Sequence, residues 1–497
     1  MKKADNKNRV KQYATTQIDA LKKVSANCSK AMEDIREIIT EMKKDNRPQL
    51  PTETELVTRL GYGRYTIREA VKRLVREGIL EKIQGKGTFI SNIKNIIDFS
   101  GWIGTEPPGD IILASMISVF SKKKSPLNVN YHPIPYYQNI EQIVRMAIEN
   151  TIPNVMQLSP HFLAILHDFD LLLPLDQYLN HNNMKRRYPV DIESGKVGRT
   201  IYSVTWALSP YILYYNKNVM KRTGLNPEKP PLTLIELLEM SKEINSAGLP
   251  NTWGMSLPLA VNDPVFIWLY PYFLSFNGGF SDSMKNVIID CNENLAALQF
   301  LKDLYFAGCV PGIKDVTEGR MLFASDHIAF WVDGPYLRGM FRKISGFREE
   351  FDSHYCVVPI PKGITGRSES ILFSHQLAIS KHSRDVESAN AWIDFLTTDE
   401  GIAKYYFEAS GCLPSMRDIL NKQFFVENPF AAPCIKQMET VSIMPLGHPL
   451  FIKSVGFISQ VLSKLVTDKN SNIEDFRYLK DIISMVAHNA FLGIYPH

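Results

Sequence analysis

One stretch constrains the chain more than any other. Residues 51–90 read PTETELVTRLGYGRYTIREAVKRLVREGILEKIQGKGTFI. Apolar spacing predicts a helix over Glu53–Leu60, a turn at Gly61 and Gly63, and a second helix over Tyr65–Glu77. Gly78 ends that helix, Ile79–Ile83 reads as a strand, Gly85-Lys86-Gly87 as a tight turn, and Thr88–Ile90 as the return strand. Upstream, Ile35, Ile38, Ile39 and Met42 recur at helical spacing, so Ser29–Lys44 is expected to be a first helix, with Pro48 and Pro51 around the turn that follows. Leu56, Leu60, Ile67, Ala70, Val71, Leu74, Ile79 and Leu80 would share a small core. That leaves Arg64, Tyr65, Thr66 and Arg68 at an exposed helix start, with Lys72, Arg73 and Arg76 further along. Two helices, a turn and a β-ribbon fringed with cations are what docking in a DNA major groove requires. Arg64 suits the bidentate edge of guanine, and Arg68 and Lys72 suit phosphates.

The charge distribution agrees. The 497 residues carry a formal charge of +4. Residues 1–92 hold 20 Lys/Arg against 12 Asp/Glu, and the remainder 36 against 40. A basic head on a mildly acidic body fits a polyanion-binding module attached to something else, although Lys2, Lys3, Lys7, Arg9 and Lys11 in a basic tail over 1–28 contribute to the excess. The N-terminus has basic residues but no apolar core of a signal peptide, and no long uncharged apolar run follows. Neither export nor a membrane span is expected, and the expected location is the cytoplasm. The six cysteines are scattered without a CxxC pair, so free thiols are expected rather than disulfides or a metal site.

The head resembles the GntR-type winged-helix regulators. The matching string runs from Leu50-Pro51-Thr52-Glu53 through Arg64-Tyr65-Thr66-Ile67-Arg68-Glu69-Ala70 to Leu74, Gly78-Ile79-Leu80 and Gln84-Gly85-Lys86-Gly87-Thr88-Phe89-Ile90. The resemblance implies that Arg64 reads a base, that Tyr65 and Arg68 contact DNA, and that the wing at Gln84 and Gly85 enters the minor groove. Thr54, Thr66, Lys72 and Lys86 complete the expected DNA-binding set. Thr54 stands where the family often has a basic residue, and Gly63 where it has Ser, Thr or Val, which removes one cationic contact and one side-chain cap.

From Ile96 onward, apolar β-like runs alternate with helical periodicity. IIDFSGW reads as a strand ending in an exposed aromatic, followed by DIILASMISVFSKKK (helix), LNVNYHPIP (strand), YQNIEQIVRMAIEN (helix) and NVMQLS (buried strand). Later come ILYYN and HIAFWVDGP as strands, and TLIELLEMSKEI, LAALQFLKDLYFAG and ESANAWIDFLTT as helices. Alternation of this kind argues for doubly wound parallel sheets, and about 400 residues argues for two lobes.

The order of these pieces resembles the extracellular solute-binding proteins of ABC sugar importers. It is carried by Asn154-Val155-Met156-Gln157-Leu158, Leu172-Leu173-Pro174-Leu175-Asp176, Leu213-Tyr214-Tyr215-Asn216-Lys217, Phe330-Trp331-Val332-Asp333-Gly334-Pro335, Pro359-Ile360-Pro361-Lys362-Gly363 and Gly411-Cys412-Leu413-Pro414. The expected fold is therefore multidomain: a small α+β winged helix-turn-helix at 29–92, then a two-lobed α/β periplasmic-binding-protein-like domain of type II at 96–497. The resemblance implies lobe 1 at about 96–207 and 361–408 and lobe 2 at about 210–358 and 411–497. The chain would cross between them near Ala207–Pro210, Val358–Pro361 and Glu408–Gly411.

In such a fold, loops at the carboxyl ends of strands face a cleft. A sugar cleft pairs aromatic faces with polar groups. Trp102, Ser159, His161, Trp206, Asp333, His375, Gln376 and Gly411 qualify, with Trp253, Trp268 and Tyr336 behind them. Against this stands the ordinary packing of tryptophan in cores, which is the reading for Trp331 and Trp392, and the turn composition of Asp333-Gly334-Pro335. No catalytic constellation, metal site or cofactor fingerprint is found. HDFD at 167–170 matches no metal-ligand spacing, and Asp333 with Asp263 is the loosest of carboxylate pairs.

The expectation is a cytoplasmic one-component transcription regulator. Its partners are double-stranded operator DNA and a small effector, a mono- or oligosaccharide, and it acts as a homodimer. A transport receptor with a vestigial head and a sugar-acting enzyme are the alternatives. Only Ser91-Asn92-Ile93-Lys94-Asn95 separates wing from body, at most roughly 18 Å of extended chain, short enough to transmit a lobe rearrangement.

Overall fold

A computed structural model describes residues 27–39, 41–42, 49–76, 79–90, 96–105, 108–260, 266–283, 286–287, 289–346, 350–383, 385–444, 449–483 and 485. The expected helix end Glu77, the expected stop Gly78, Pro48, the 91–95 linker, Asp263 and the tail up to 26 lie outside these residues. The chain forms two compact units. One comprises the head with 96–102, 114–156 and 379–392, and the other 103–113, 157–378 and the residues from 393 onward.

In the head, residues 27–39 and 41–42 are helical (α1). α2 spans Glu53–Leu60. It starts where Thr52 and Glu55 cap each other reciprocally, and it ends at Gly61, whose φ of 72° suits a residue without Cβ. α3 spans Arg64–Arg76. Strands β1 (Leu80–Ile83) and β2 (Gly87–Ile90) pair antiparallel. Ile35, Ile38, Leu56, Ile67, Ala70, Leu74 and Leu80 form the buried core, with Leu60 and Ile79 only partly buried at its margin. The sequence pattern missed one pairing. Gln49 forms an isolated antiparallel bridge with Phe89, and the Leu50 amide donates to the Thr88 carbonyl at 2.8 Å, so residues 49–50 lie along the outer edge of the wing.

The rest of the first unit is built on β3 (Ile96–Gly101), which runs parallel to both β4 (Asn128–Pro133) and β5 (Val155–Leu158). The helix Gly109–Lys123 (α4) follows β3, and α5 (Asn139–Ile148) joins β4 to β5. Trp392 is fully buried against Phe99 and Phe120, at ring distances of 5.8 and 4.9 Å.

The second unit contributes strands to two larger sheets of mixed direction, beside smaller two-stranded ones. Ser203–Leu208 runs antiparallel to both His375–Ile379 and Leu413–Pro414. Ile212–Asn216 runs antiparallel to both Ile328–Asp333 and Tyr355–Val358, and Trp253–Met255 adds a parallel edge. The expected all-parallel sheets are thus corrected. A strand that reaches its sheet by crossing from another need not return through a helix, so the rule that makes βαβ units parallel does not bind it. The crossing at 209–211 is itself paired: the Phe373 amide donates to the Ser209 carbonyl at 2.9 Å and the Tyr211 amide to the Ile371 carbonyl at 3.0 Å. After Gly411, Leu413–Pro414 stays with the first of these sheets, so the chain does not leave it there. No helix among the described residues is long and apolar enough to cross a membrane.

Candidate nucleic-acid interface and solute site

On α3, Arg64, Arg68 and Lys72 recur every four residues and are exposed, while Ile67, Ala70, Val71 and Leu74 face the core. Tyr65 is 72% exposed, and Thr66 is half-buried. Arg68 Nε donates to Glu53 Oε2 at 3.1 Å, which ties the start of α3 to the start of α2 and occupies part of its donor fork. Thr54, Gln84, Gly85 and Lys86 are exposed as well. At the wing, Gly85 has φ 75° and Gly87 φ 115°, and the Gln49 amide donates to the Lys86 carbonyl at 3.0 Å. One member of the basic stripe departs from it. Arg73 is buried, 8% exposed, and faces away from Arg64.

In the body, strand-end residues meet partners the sequence did not reveal. Trp102, expected to be exposed, is 3% exposed, edge-on to Tyr136 at 5.2 Å, because the 3-10 turn at 136–138 folds over it. Trp206 is 2% exposed and lies flat on Tyr406, at 4.7 Å and 15°. Its indole face is already covered by protein. The Tyr406 hydroxyl reaches His375 Nδ1 at 3.3 Å, and Tyr336 stacks on the same imidazole at 5.9 Å. His375 is buried, which pushes its pKa down to about 4 and keeps it neutral at pH 7.

Asp333 lies at the centre of a saturated network. Its carboxylate accepts from the Gly334 amide (2.8 Å), the Tyr336 hydroxyl (2.6 Å), Arg320 Nε (3.0 Å) and Trp331 Nε1 (3.1 Å). These bonds make it an organiser of Arg320 and Tyr336. Gln376 is committed likewise, accepting from Ser203 Oγ at 2.6 Å and donating to Ser194 Oγ at 2.7 Å. Gly411 caps the helix Glu400–Ser410 at φ 92°, and a Cβ there would lie 2.3 Å from the Pro335 carbonyl oxygen.

Ser159 and His161 do come together, Oγ to Nδ1 at 2.8 Å. His161 keeps a partly accessible edge, yet desolvation pushes its pKa down to about 3. It stacks on Phe373 at 5.9 Å, Phe373 lies 6.1 Å from Tyr211, and Tyr211 lies 6.2 Å from Trp268. Beside this chain of rings, Ser209 Oγ, Ser374 Oγ and Trp268 Nε1 are buried without a hydrogen-bond partner. Tyr211 and Phe373 were not among the expected residues, although Tyr211 directly follows the first crossover and Phe373 lies two residues before His375. Aromatic faces, neutral imidazoles and unsatisfied hydroxyl and indole groups suit an uncharged, polyhydroxylated ligand. Trp253 is half-buried on its edge strand.

Two parts of the chain match known families. Residues 115–433 match the family described as bacterial extracellular solute-binding protein, and residues 29–90 match the bacterial regulatory proteins of the gntR family. A binding protein of Brucella abortus (strain 2308) is 22% identical over 316 residues, 62% of this chain and 74% of its own length. The "Probable fructoselysine utilization operon transcriptional repressor" of Escherichia coli (strain K12) is 50% identical over 46 residues, 9% of this chain and 19% of its own. The crystal structure of an ABC transporter solute-binding protein from Thermotoga lettingae, bound with alpha-D-tagatose, superposes with a TM-score of 0.68 at 18% identity, covering 79% of this chain and all of that one. Matched over most of its length, the chain belongs to the bacterial extracellular solute-binding protein family and carries a gntR-family regulatory domain at its head.

Proposed function

We propose that the chain is a cytoplasmic one-component transcription regulator. Its head binds operator DNA, and its body senses a small saccharide in the cluster of Tyr211, Trp268, His161 and Phe373. The observation that carries this reading is the pairing, in one chain, of an exposed Arg64–Arg68–Lys72 stripe with a solute-binding body. Thr54, Tyr65, Thr66, Gln84, Gly85 and Lys86 complete the DNA contacts. On the body side, Trp206, Asp333, His375, Gln376 and Gly411 shape the site from behind, and Ser159 and His161 face it. A homodimer on a pseudo-palindrome is the functional species, because one winged helix touches too few bases for useful specificity. We assign no catalytic role to any residue.

The test has two stages. Selection from random duplexes identifies a preferred operator, and a thermal-shift screen of mono- and oligosaccharides identifies a ligand. A ligand at about 100 times its Kd adds roughly 2.7 kcal/mol. Titrating that sugar with and without the operator then measures the coupling, which must be equal in both directions. Two superimposable curves, or the absence of any enriched duplex, would refute the regulator.

A further inference from the structure

We propose that the first unit holds a second ligand site, separate from the body's aromatic cluster, that takes a small phosphate-bearing polar molecule. A cavity of about 800 Å³ opens between the head and the first strands of the body. Its walls come from α1, the far end of α3, β3, β4 and α5. That volume falls within the range of small-molecule sites and far exceeds a single ion.

The distinctive group is Arg73. It lines the cavity, its side chain is 9% exposed, and Nε and Nη1 have no hydrogen-bond partner. Glu69, one turn back on the same helix, forms an ion pair with it at 3.8 Å, too long for a hydrogen bond, so the charge is met while these donors stay open. A guanidinium cannot lose its proton, so burying it with open donors costs free energy that a planar oxyanion would recover through paired bonds. Arg36, Arg145, His132 and His382 line the same space. Four acids share the wall, but two are already committed. Asp98 accepts from His132 Nε2 at 2.6 Å and Asn130 Nδ2 at 2.8 Å, and Asp385 accepts from the Ser388 amide at 2.9 Å. These bonds leave both carboxylates charged, so the preference for an oxyanion rests on the open donors of Arg73 and not on the net charge of the wall. Asn150 Nδ2 donates to Ser29 Oγ at 3.1 Å, so the rim joins body to head directly. Arg73 and the base-reading Arg64 stand on one rigid helix. An anion seated here fixes how that helix sits on the body, and so can bias DNA affinity independently of any sugar.

The experiment uses full-length protein and two probes, inorganic phosphate and glucose 6-phosphate, against glucose and potassium chloride at matched ionic strength. A saturable rise in Tm with either phosphate probe is expected. Saturation by inorganic phosphate would mean that the oxyanion suffices, and saturation by glucose 6-phosphate alone that the rest of the molecule is read too. Arg73→Met should weaken the apparent affinity roughly tenfold or more. Should that variant fail to fold, Arg145→Gln on the opposite wall carries the same expectation. Lys242→Ala, at an exposed position of the helix Leu234–Ser246, should keep the response. No saturable shift, equal shifts in wild type and cavity variants, or loss of the shift in Lys242→Ala would each overturn the site. Because glucose 6-phosphate is set against glucose, failure here leaves the sugar-sensing reading of the body standing.

Discussion

In the head, Arg64, Tyr65 and Lys72 stand outside a helix whose other face is packed, so the DNA recognition proposed for them would use side chains that the fold itself does not need. In the body, Trp206, Asp333 and Gln376 are stacked or hydrogen-bonded within the protein, so in the proposed sugar site they would act as support and not as lining. The contrast teaches where mutations separate function from stability. They should do so cleanly on α3 and poorly around Asp333.

The largest effect expected from this contrast is at Asp333. Asp333→Asn leaves Arg320 without its counter-charge in a mostly buried setting, where breaking such a pair costs about 3–5 kcal/mol. Chemical denaturation measures it, and a loss below about 1 kcal/mol would show that the network does not hold the body together. Next comes the head. Arg64→Ala should cost about 1–3 kcal/mol at a matched operator and relax base preference there, whereas Lys72→Ala should weaken all duplexes alike and lower the salt slope by about 1. Anisotropy titrations on cognate and random duplexes compare them, and identical behaviour would remove Arg64 as base reader. The smallest effect is a pH dependence. His375 is neutral in the fold because its pKa is pushed down to about 4, while in the unfolded chain it takes a proton near pH 6.5. Its stabilisation is therefore complete above about pH 6.5 and is lost as pH falls toward 4, by about 1 kcal/mol for the first unit below 6.5. His375→Gln should flatten this slope, and an unchanged slope would mean that the ring is protonated in the fold.

The head was legible because its logic is local. Four-residue spacing set the α3 stripe, and Gly61, Gly85 and Gly87 marked the turns. What escaped was Gln49–Leu50 joining the wing, since that pairing spans about forty residues, and the burial of Arg73, whose surroundings include the body. The body's elements were legible from periodicity, as ILYYN and HIAFWVDGP show, but their directions were not, because crossings between sheets decide them. Trp102 looked exposed at a strand end, and only the fold brings Tyr136 to it. His375 and Gln376 are neighbours in sequence, yet one meets Tyr336 and Tyr406 while the other is locked between Ser203 and Ser194.

The bond from the Gln49 side chain to the Lys86 carbonyl has a practical consequence for anyone retargeting this chain. The hairpin tip is held in register by residues that precede both α2 and α3. The acceptors are main-chain carbonyls that any wing supplies, but a foreign wing grafted at 80–90 alone that puts a side chain in place of Gly87 would bring its Cβ to 3.0 Å from the Gln49 amide nitrogen and strain that brace. An exchange of operator preference should therefore move residues 49–90 as one cassette, with the junction placed upstream of Gln49.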